Sequence, residues 1–281
     1  YHFHDPELIF IGIILKKIFK KKVIYDIHED VSLQIHQKSY IPSFLKYFVK
    51  NIFSFFENYA SSIFNHLITA TPEIKNKFQL LNPNTICVNN YPILNELKSD
   101  KIESNKKKSI CYIGGISIDR GVFNLVKAIE KTDIILHLAG SFWYSSEEKS
   151  IKSLDGWKNV KYYGVVNRKD LKKILSKSMA GIVPFLPKPN HINCQPNKLF
   201  EYMSSGLPVI ASNFKNIVDL VEKNNIGFCF NPMEVGELRL AILKIINNPI
   251  KSKLKGEKAY DLVINKYNFE KKFLKLNEIY V

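Results

Sequence analysis

Apolar positions in this chain recur in two registers: short continuous runs of strand length, and spacings of three and four that mark helices. Residues 1–5 read as the end of a strand, followed by Val23-Ile24-Tyr25, His66–Ala70 and Ile86-Cys87-Val88. Between the first two, Leu8, Ile11, Leu15 and Ile18 fall at helical spacing, and Thr71-Pro72-Glu73 opens a further helix. Over 93–108 the chain turns polar and lysine-rich, which predicts a linker. Alternation then resumes, with strands at 109–113, 134–139, 160–163, 180–183 and 227–230 and helices at 122–131, 168–178 and 235–247. This order predicts parallel sheets with helices on both faces, in two units, and places ligands at the carboxyl edges of the strands.

Two helices stand out. Phe44 to Phe64 carries Phe44, Phe48, Ile52, Phe55, Phe56, Tyr59 and Ile63 on one face, with Lys46 and Lys50 nearby. The pattern favours a core-packed helix over its alternative, a basic aromatic helix at a membrane surface. The second helix lies in Pro196-Asn197-Lys198-Leu199-Phe200-Glu201-Tyr202-Met203-Ser204-Ser205-Gly206-Leu207-Pro208-Val209-Ile210-Ala211. Asn197 suits its N-cap, Gly206 the left-handed residue after its end, and Val209-Ile210-Ala211 a buried strand. Its start offers free N–H groups to a phosphate. Glu201, alone among apolar neighbours, reads from pattern only as a solvent-facing residue.

Composition narrows the partners. The 281 residues are 46% hydrophobic and 24% charged, as a globular chain is, and 41 Lys+Arg against 26 Asp+Glu leave a net charge of +15. That balance suits nucleic acid, an anionic membrane or a phosphorylated substrate. No nucleic-acid-binding signature accompanies the lysines, so nucleic acid is not expected. Cys87, Cys111, Cys194 and Cys229 are far apart and read as apolar residues of a reducing compartment. The early apolar run, Leu8 to Leu15, is too short to cross a bilayer.

Tyr112-Ile113-Gly114-Gly115-Ile116-Ser117-Ile118-Asp119-Arg120-Gly121, the Gly164 turn and Asn197–Met203 running into Gly206–Ala211 together resemble glycosyltransferase family 4. His4-Asp5-Pro6-Glu7-Leu8 and Tyr25-Asp26-Ile27-His28-Glu29-Asp30 agree with the latter half of that family's acceptor domain. The resemblance implies an α/β protein of the GT-B fold, two Rossmann-like parallel-sheet domains with a cleft between them. The N-terminal domain would lack its first strands. The domains expected are a partial acceptor-side domain at 1–92, the linker 93–108, a nucleotide-sugar-binding domain at 109–258, and a C-terminal helix, 259–281, returning to the first domain.

Site residues follow from the same resemblance. Glu201 takes the place of the second of two glutamates eight apart and would bind the nucleotide ribose, whose diol a carboxylate can accept from. Asn193 stands where the first glutamate is expected and would contact the sugar without a charge. Of a basic pair on the diphosphate, Arg120 matches one member and Gly115 replaces the other. Lys198 is either a compensating charge or a solvated lysine. Gly114 shapes the loop, and Gly164, Val165 and Val166 resemble the segment that recognises the base. Asn197 and Leu199 complete the nucleotide-sugar set. His28 would contact the donor sugar near its reacting carbon; on its residues alone it is a structural histidine at a strand end. His2, His4 and Asp5 could imitate a metal site, but the resemblance implies neither metal nor cofactor. The activity implied is retaining transfer of a sugar from a UDP- or GDP-linked donor to a glycan or lipid-linked acceptor in surface polysaccharide synthesis. It would take place in the cytoplasm or peripherally at the inner face of the plasma membrane. A GT-B nucleotide-sugar epimerase and a catalytically impaired nucleotide-sugar-binding fragment are the alternatives.

Overall fold

The structure, a computed structural model, describes residues 1–35, 42–98 and 108–280. The chain divides into two units, Tyr1–Asn90 with Phe269–Val281, and Tyr91–Asn268.

In the first unit, β1 (His2–Phe3), β2 (Ile24–Ile27), β3 (His66–Thr69) and β4 (Thr85–Cys87) form one parallel sheet in that order. α1 (Ile9–Lys17) links the first two strands, and α2 (Val31–Gln34) and α3 (Ser43–Ile63) follow β2. Asp30 caps α2 by accepting from Ser32 N–H, and Thr71 caps α4 (Pro72–Phe78) in the same way through Ile74 N–H. One core lies under Ile9, Val23, Tyr25, Ala60, Phe64, Leu67 and Phe78. On the opposite face Ile24, Ile68 and Val88 receive Ile279 of α13 (Phe269–Tyr280).

α3 overturns the core-packed reading of its aromatic face. Phe48 is 62% and Phe55 70% exposed, and Phe44, Tyr47, Phe56 and Tyr59 are exposed with them. The buried stripe is instead Glu57, Ala60 and Ser61, flanked by Phe53 and Phe64. α3 packs on α1 here, and a Cβ on Gly12 of α1 would come within 2.8 Å of Phe3 and 2.9 Å of Phe64, the residue after α3.

The second unit carries a six-stranded parallel sheet. Its strands are β5 (Ser109–Ile113), β6 (Ile135–Ala139), β7 (Val160–Tyr162), β8 (Gly181–Val183), β9 (Val209–Ser212) and β10 (Gly227–Phe230), in spatial order β10-β9-β8-β5-β6-β7. The order runs outward from β5 in one direction and from β8 in the other. Where two neighbouring strands send their connections to opposite sides, a crevice opens beyond their carboxyl ends. α5 (Val122–Ala128) and α11 (Val235–Ile246) cover one face over Tyr112, Leu136 and Ile210. α7 (Arg168–Lys177), α9 (Asn197–Ser204), α10 (Lys215–Val221) and α12 (Pro249–Asn265) cover the other. α6 (Ser145–Lys152) and the single turn α8 (Pro189–Ile192) lie in the loops.

Two expected boundaries move. Residues 93–98 of the supposed linker are packed: Leu97 is buried in the core, and Lys98 Nζ lies 3.6 Å from the Tyr260 ring centre. Residues 99–107 lie outside the described residues. At the other end Ala259 and Val263 are core residues of the second unit, so the first unit recovers the chain at Phe269, not at residue 259.

Candidate nucleotide-binding site

The crevice between β5 and β8 is built by glycines. Gly114 leaves β5 with φ +105°, and Gly140 leaves β6 with φ +139°. A Cβ on Gly140 would stand 2.0 Å from Gly114 O, so the two loops touch backbone to backbone. Gly140 N–H donates to Gly164 O at 2.7 Å, which ties in the turn after β7. Gly121, at φ +74°, packs where a Cβ would meet Pro184 O at 1.7 Å. Gly140 and Gly121 require glycine by conformation and by space, and Gly114 by conformation.

One side chain joins the two central strands where they part. Ile113 N–H donates to the Tyr202 hydroxyl at 3.0 Å, and that hydroxyl donates to Ile182 O at 3.3 Å. Tyr202 is fully buried, held against Gly181 of β8. It therefore fixes α9, and with it Lys198 and Glu201, to the crevice. α9 itself starts one residue earlier than expected. Pro196 holds the N-cap position in extended backbone (ψ 122°) and accepts from Leu199 N–H at 3.0 Å, leaving Asn197 as the first helical residue. Its end is as the sequence implies. Gly206, at φ +72°, donates to Met203 O and Leu207 N–H to Tyr202 O.

Two cations meet under the glycine loop. A Cβ on Gly114 would lie 3.1 Å from Lys198 Nζ and 3.9 Å from Arg120 Nη1. Lys198 is 7% exposed, and neither its Nζ nor Arg120 Nε has a hydrogen-bond partner. Aromatic faces surround them instead. Lys198 Nζ sits 3.8 Å from the Tyr112 ring centre and 5.1 Å from that of Phe185. Arg120 Cζ lies 4.4 Å over Trp143 and 5.5 Å from Phe185. Burial, and then the Arg120 charge, push the Lys198 amine well below the usual lysine range, with Glu201 opposing. A buried amine without a hydrogen-bond partner, next to a half-buried guanidinium, is costly to charge unless an anion meets it. Of the two readings of Lys198, the structure thus excludes the solvated one, and it puts the amine beside the uncharged Gly115 loop.

Glu201 is not free in solvent. Arg168 Nη1 donates to its Oε1 at 2.5 Å, while Nε and Nη2 of the same guanidinium donate to Glu96 Oε1 and Oε2 at 2.8 and 2.5 Å. Arg168 starts α7, just past Gly164, so it connects the α9 carboxylate to the turn after β7. Val166 packs partly into the core there, and Val165 is exposed. Leu199 is a core residue. Asn193 ends the short α8 with its side chain exposed. Buried His191 stacks on Phe185 at 4.7 Å, and burial pushes its ring pKa down. The structure thus gathers Gly114, Gly115, Arg120 and Lys198 at one loop beyond the end of β5. Glu201 and Gly164 adjoin it through Arg168 and Gly140. Sequence reasoning missed Trp143, Arg168, Glu96 and Tyr202, whose partners are all distant in sequence.

In the first unit the sheet edge carries a second polar group. His28 Nε2 lies 3.3 Å and His2 Nε2 3.6 Å from Asp26 Oδ2, with His2 Nδ1 hydrogen-bonded to the Tyr280 hydroxyl. Burial alone would raise the Asp26 pKa, but the two histidines outweigh it and hold the carboxyl at about 2. Asp26 in turn raises the pKa of His28. Among the described residues, no three His, Cys, Asp or Glu side chains gather so as to hold a metal ion.

The model of the family described as glycosyl transferases group 1 matches residues 95–262. Among curated proteins none matches. The solved structure of Alr3699/HepE from Anabaena in complex with UDP is similar to this chain with a TM-score of 0.75 and 16% identity, over 99% of this chain and 77% of that one. Sucrose-phosphate synthase from Thermosynechococcus elongatus gives 0.75 and 18%, over 99% and 72%. WaaG, a glycosyltransferase involved in lipopolysaccharide biosynthesis, gives 0.68 and 14%, over 96% and 80%. These likenesses show the fold, GT-B with two parallel-sheet domains. With the matched segment spanning the glycine loops, both cations and α9, the chain belongs to the glycosyl transferases group 1.

Proposed function

We propose that this chain is a retaining glycosyltransferase that uses a nucleotide-diphosphate sugar, UDP-linked in the first instance and GDP-linked in the second. The observation that carries the reading is the buried Lys198 amine, without a hydrogen-bond partner, beside the half-buried Arg120, whose Nε also lacks one, at the Gly114 loop. A diphosphate supplies the charge this pair lacks and leaves with that charge neutralised, which is what departure of a nucleotide requires. Lys198 takes the role that Gly115 cannot. Glu201 is the ribose anchor, and the Gly164 turn with Val165 and Val166 meets the base. His28 and Asn193 serve the donor sugar. No metal or cofactor is part of this reading.

Calorimetry of the intact chain with UDP tests it. UDP binds, and Arg120→Ala and Lys198→Ala each weaken binding roughly tenfold or more. Failure of the chain to bind either UDP or GDP would overturn the reading.

The acceptor we propose is a glycan or lipid-linked glycan of surface polysaccharide synthesis, met at the cytoplasmic face of an anionic membrane. The exposed aromatic face of α3 supports this, as do exposed Phe10, Ile18 and Phe19 beside Lys16, Lys17, Lys20, Lys21 and Lys22. Aromatic residues favour the headgroup region, and each nearby lysine adds about 1 kcal/mol on anionic lipid. Among the described residues, no helix is long and apolar enough to cross a membrane. The chain co-sediments with vesicles containing anionic phosphatidylglycerol and not with purely zwitterionic ones; equal recovery with both, or with neither, removes the membrane from the proposal.

A further inference from the structure

We propose that Trp143 is a positioning residue for the phosphate-binding cations: its indole fills the space that a side chain at position 115 would take, and its face holds the Arg120 guanidinium. This rests on the reading of Arg120 and Lys198 as the diphosphate site.

Gly115 differs from its neighbour Gly114. Its φ lies outside the left-handed region, so its backbone would accept a side chain. Space is what forbids one. A Cβ at 115 would stand 2.4 Å from Trp143 Nε1 and 2.8 Å from Cε2. The loop that carries the indole is itself fixed to the glycine loop. Ile116 N–H donates to Ser141 O at 2.8 Å, and Trp143 N–H to Ile116 O at 3.1 Å. The indole is therefore held over Gly115 by backbone pairing between the two loops, although it is 52% exposed.

On that indole rests the Arg120 guanidinium, 4.4 Å from the ring. The chemistry of this support matters. A carboxylate partner would take the N–H groups and cancel the charge. An aromatic face attracts the cation through its quadrupole and leaves the in-plane N–H groups available. Lys198 is held in the same manner by Tyr112, whose hydroxyl donates to Gly115 O at 2.7 Å. Position 115 thus touches both side chains that hold the cations: its carbonyl accepts from the Tyr112 hydroxyl, and its Cα faces the Trp143 indole. Among the described residues, neither Arg120 nor Lys198 is held by a carboxylate within ion-pair distance. This accounts for how the loop works with glycine at 115: the indole occupies the volume and the charge comes from α9.

The test is UDP binding, measured by calorimetry on the full chain, with melting temperature as the control for folding. Trp143→Ala weakens UDP binding roughly five- to tenfold, and Trp143→Phe, which keeps an aromatic face, recovers most of that loss. Gly115→Ala also weakens binding, because its Cβ displaces the indole, but adds little in the Trp143→Ala background, where the space is open. Gly115→Arg is rejected in the native chain and restores affinity in the Trp143→Ala background by placing a cation in the vacated volume. If Trp143→Ala fails to fold, the Gly115→Ala and Trp143→Phe pair still decides. Wild-type affinity in Trp143→Ala or in Gly115→Ala, while Arg120→Ala loses binding, would overturn this inference and leave the diphosphate reading standing. Wild-type affinity in Arg120→Ala would overturn the reading beneath it.

Discussion

Arg168 and Glu201 meet at 2.5 Å, and the same guanidinium grips both oxygens of Glu96. A carboxylate held on one oxygen keeps its second oxygen and its plane oriented. In the proposed site this pair sets the ribose anchor. Arg168→Ala is therefore expected to weaken UDP binding roughly three- to tenfold, and Glu201→Ala at least as much. Arg168 is a half-exposed side chain, so stability should change by no more than about 1 kcal/mol. Calorimetry alongside thermal melting checks both. Unchanged affinity in Arg168→Ala would show that Glu201 does not depend on it.

Glu57 makes the first unit pH-sensitive. It is 1% exposed on α3, accepts from the Tyr25 hydroxyl at 3.3 Å and leaves Oε2 without a partner. Burial, helped by Asp30 and opposed by Lys77 and Tyr25, raises its pKa from 4.5 to about 7. The folded state thus holds this proton more tightly than the unfolded chain. Its contribution is fully present below pH 4.5 and is lost as the pH rises to about 7. The linked change is on the order of 3 kcal/mol. In urea unfolding, Glu57→Gln should gain on the wild type between pH 5 and pH 8. A constant difference between the two proteins would show that Glu57 does not titrate in that window.

Two left-handed glycines should respond very differently to alanine. Gly121 and Gly206 have nearly equal φ, +74° and +72°, but only at the first would an added Cβ meet a backbone atom, Pro184 O at 1.7 Å. Gly206→Ala carries the conformational cost alone, about 1 kcal/mol. Gly121→Ala must also part the loop from Pro184 and should cost roughly 3 kcal/mol or more. Similar melting temperatures for the two variants would contradict the packing described for the crevice.

The exposed face of α3 should tolerate polar residues. Phe48→Ser and Phe55→Ser lie outside the core and should change stability by no more than about 0.5 kcal/mol. Ala60→Leu, on the buried stripe, should destabilise by about 1–3 kcal/mol through overpacking. Chemical denaturation of the three variants tests the assignment of faces. A large loss in either serine variant would return the aromatic face to the core.

Much of the scaffold is legible in the sequence because parallel strands buried on both faces appear as unbroken apolar runs. β10 lies over 227–230 as its pattern implies, and Gly206 ends α9 by the backbone pairing that glycine at that place suggests. Periodicity is less informative for α3. A period of 3.6 identifies an aromatic face without saying which side meets the protein, and here the inner side carries Glu57 and Ser61. α12 has no clear signature, since its lysines outnumber its core residues Ala259 and Val263. In the site, Gly114, Arg120 and Glu201 can be located by local motif. Trp143 and Arg168 cannot, because their roles come from contacts across the sheet edge, which no local spacing encodes.

The Tyr202 bridge has a kinetic consequence. Ile113 and Tyr202 are 89 residues apart, and β5 and β8 belong to opposite wings of their sheet. Contacts so distant in sequence form late, after each wing has closed its own local pairings. The phenol adds a second tie to the β5–β8 pairing at Cys111 and Gly181, and fixes α9 against both strands. A ligand that fits the crevice therefore selects chains in which both wings have docked, and its binding during refolding would time the final step of assembly.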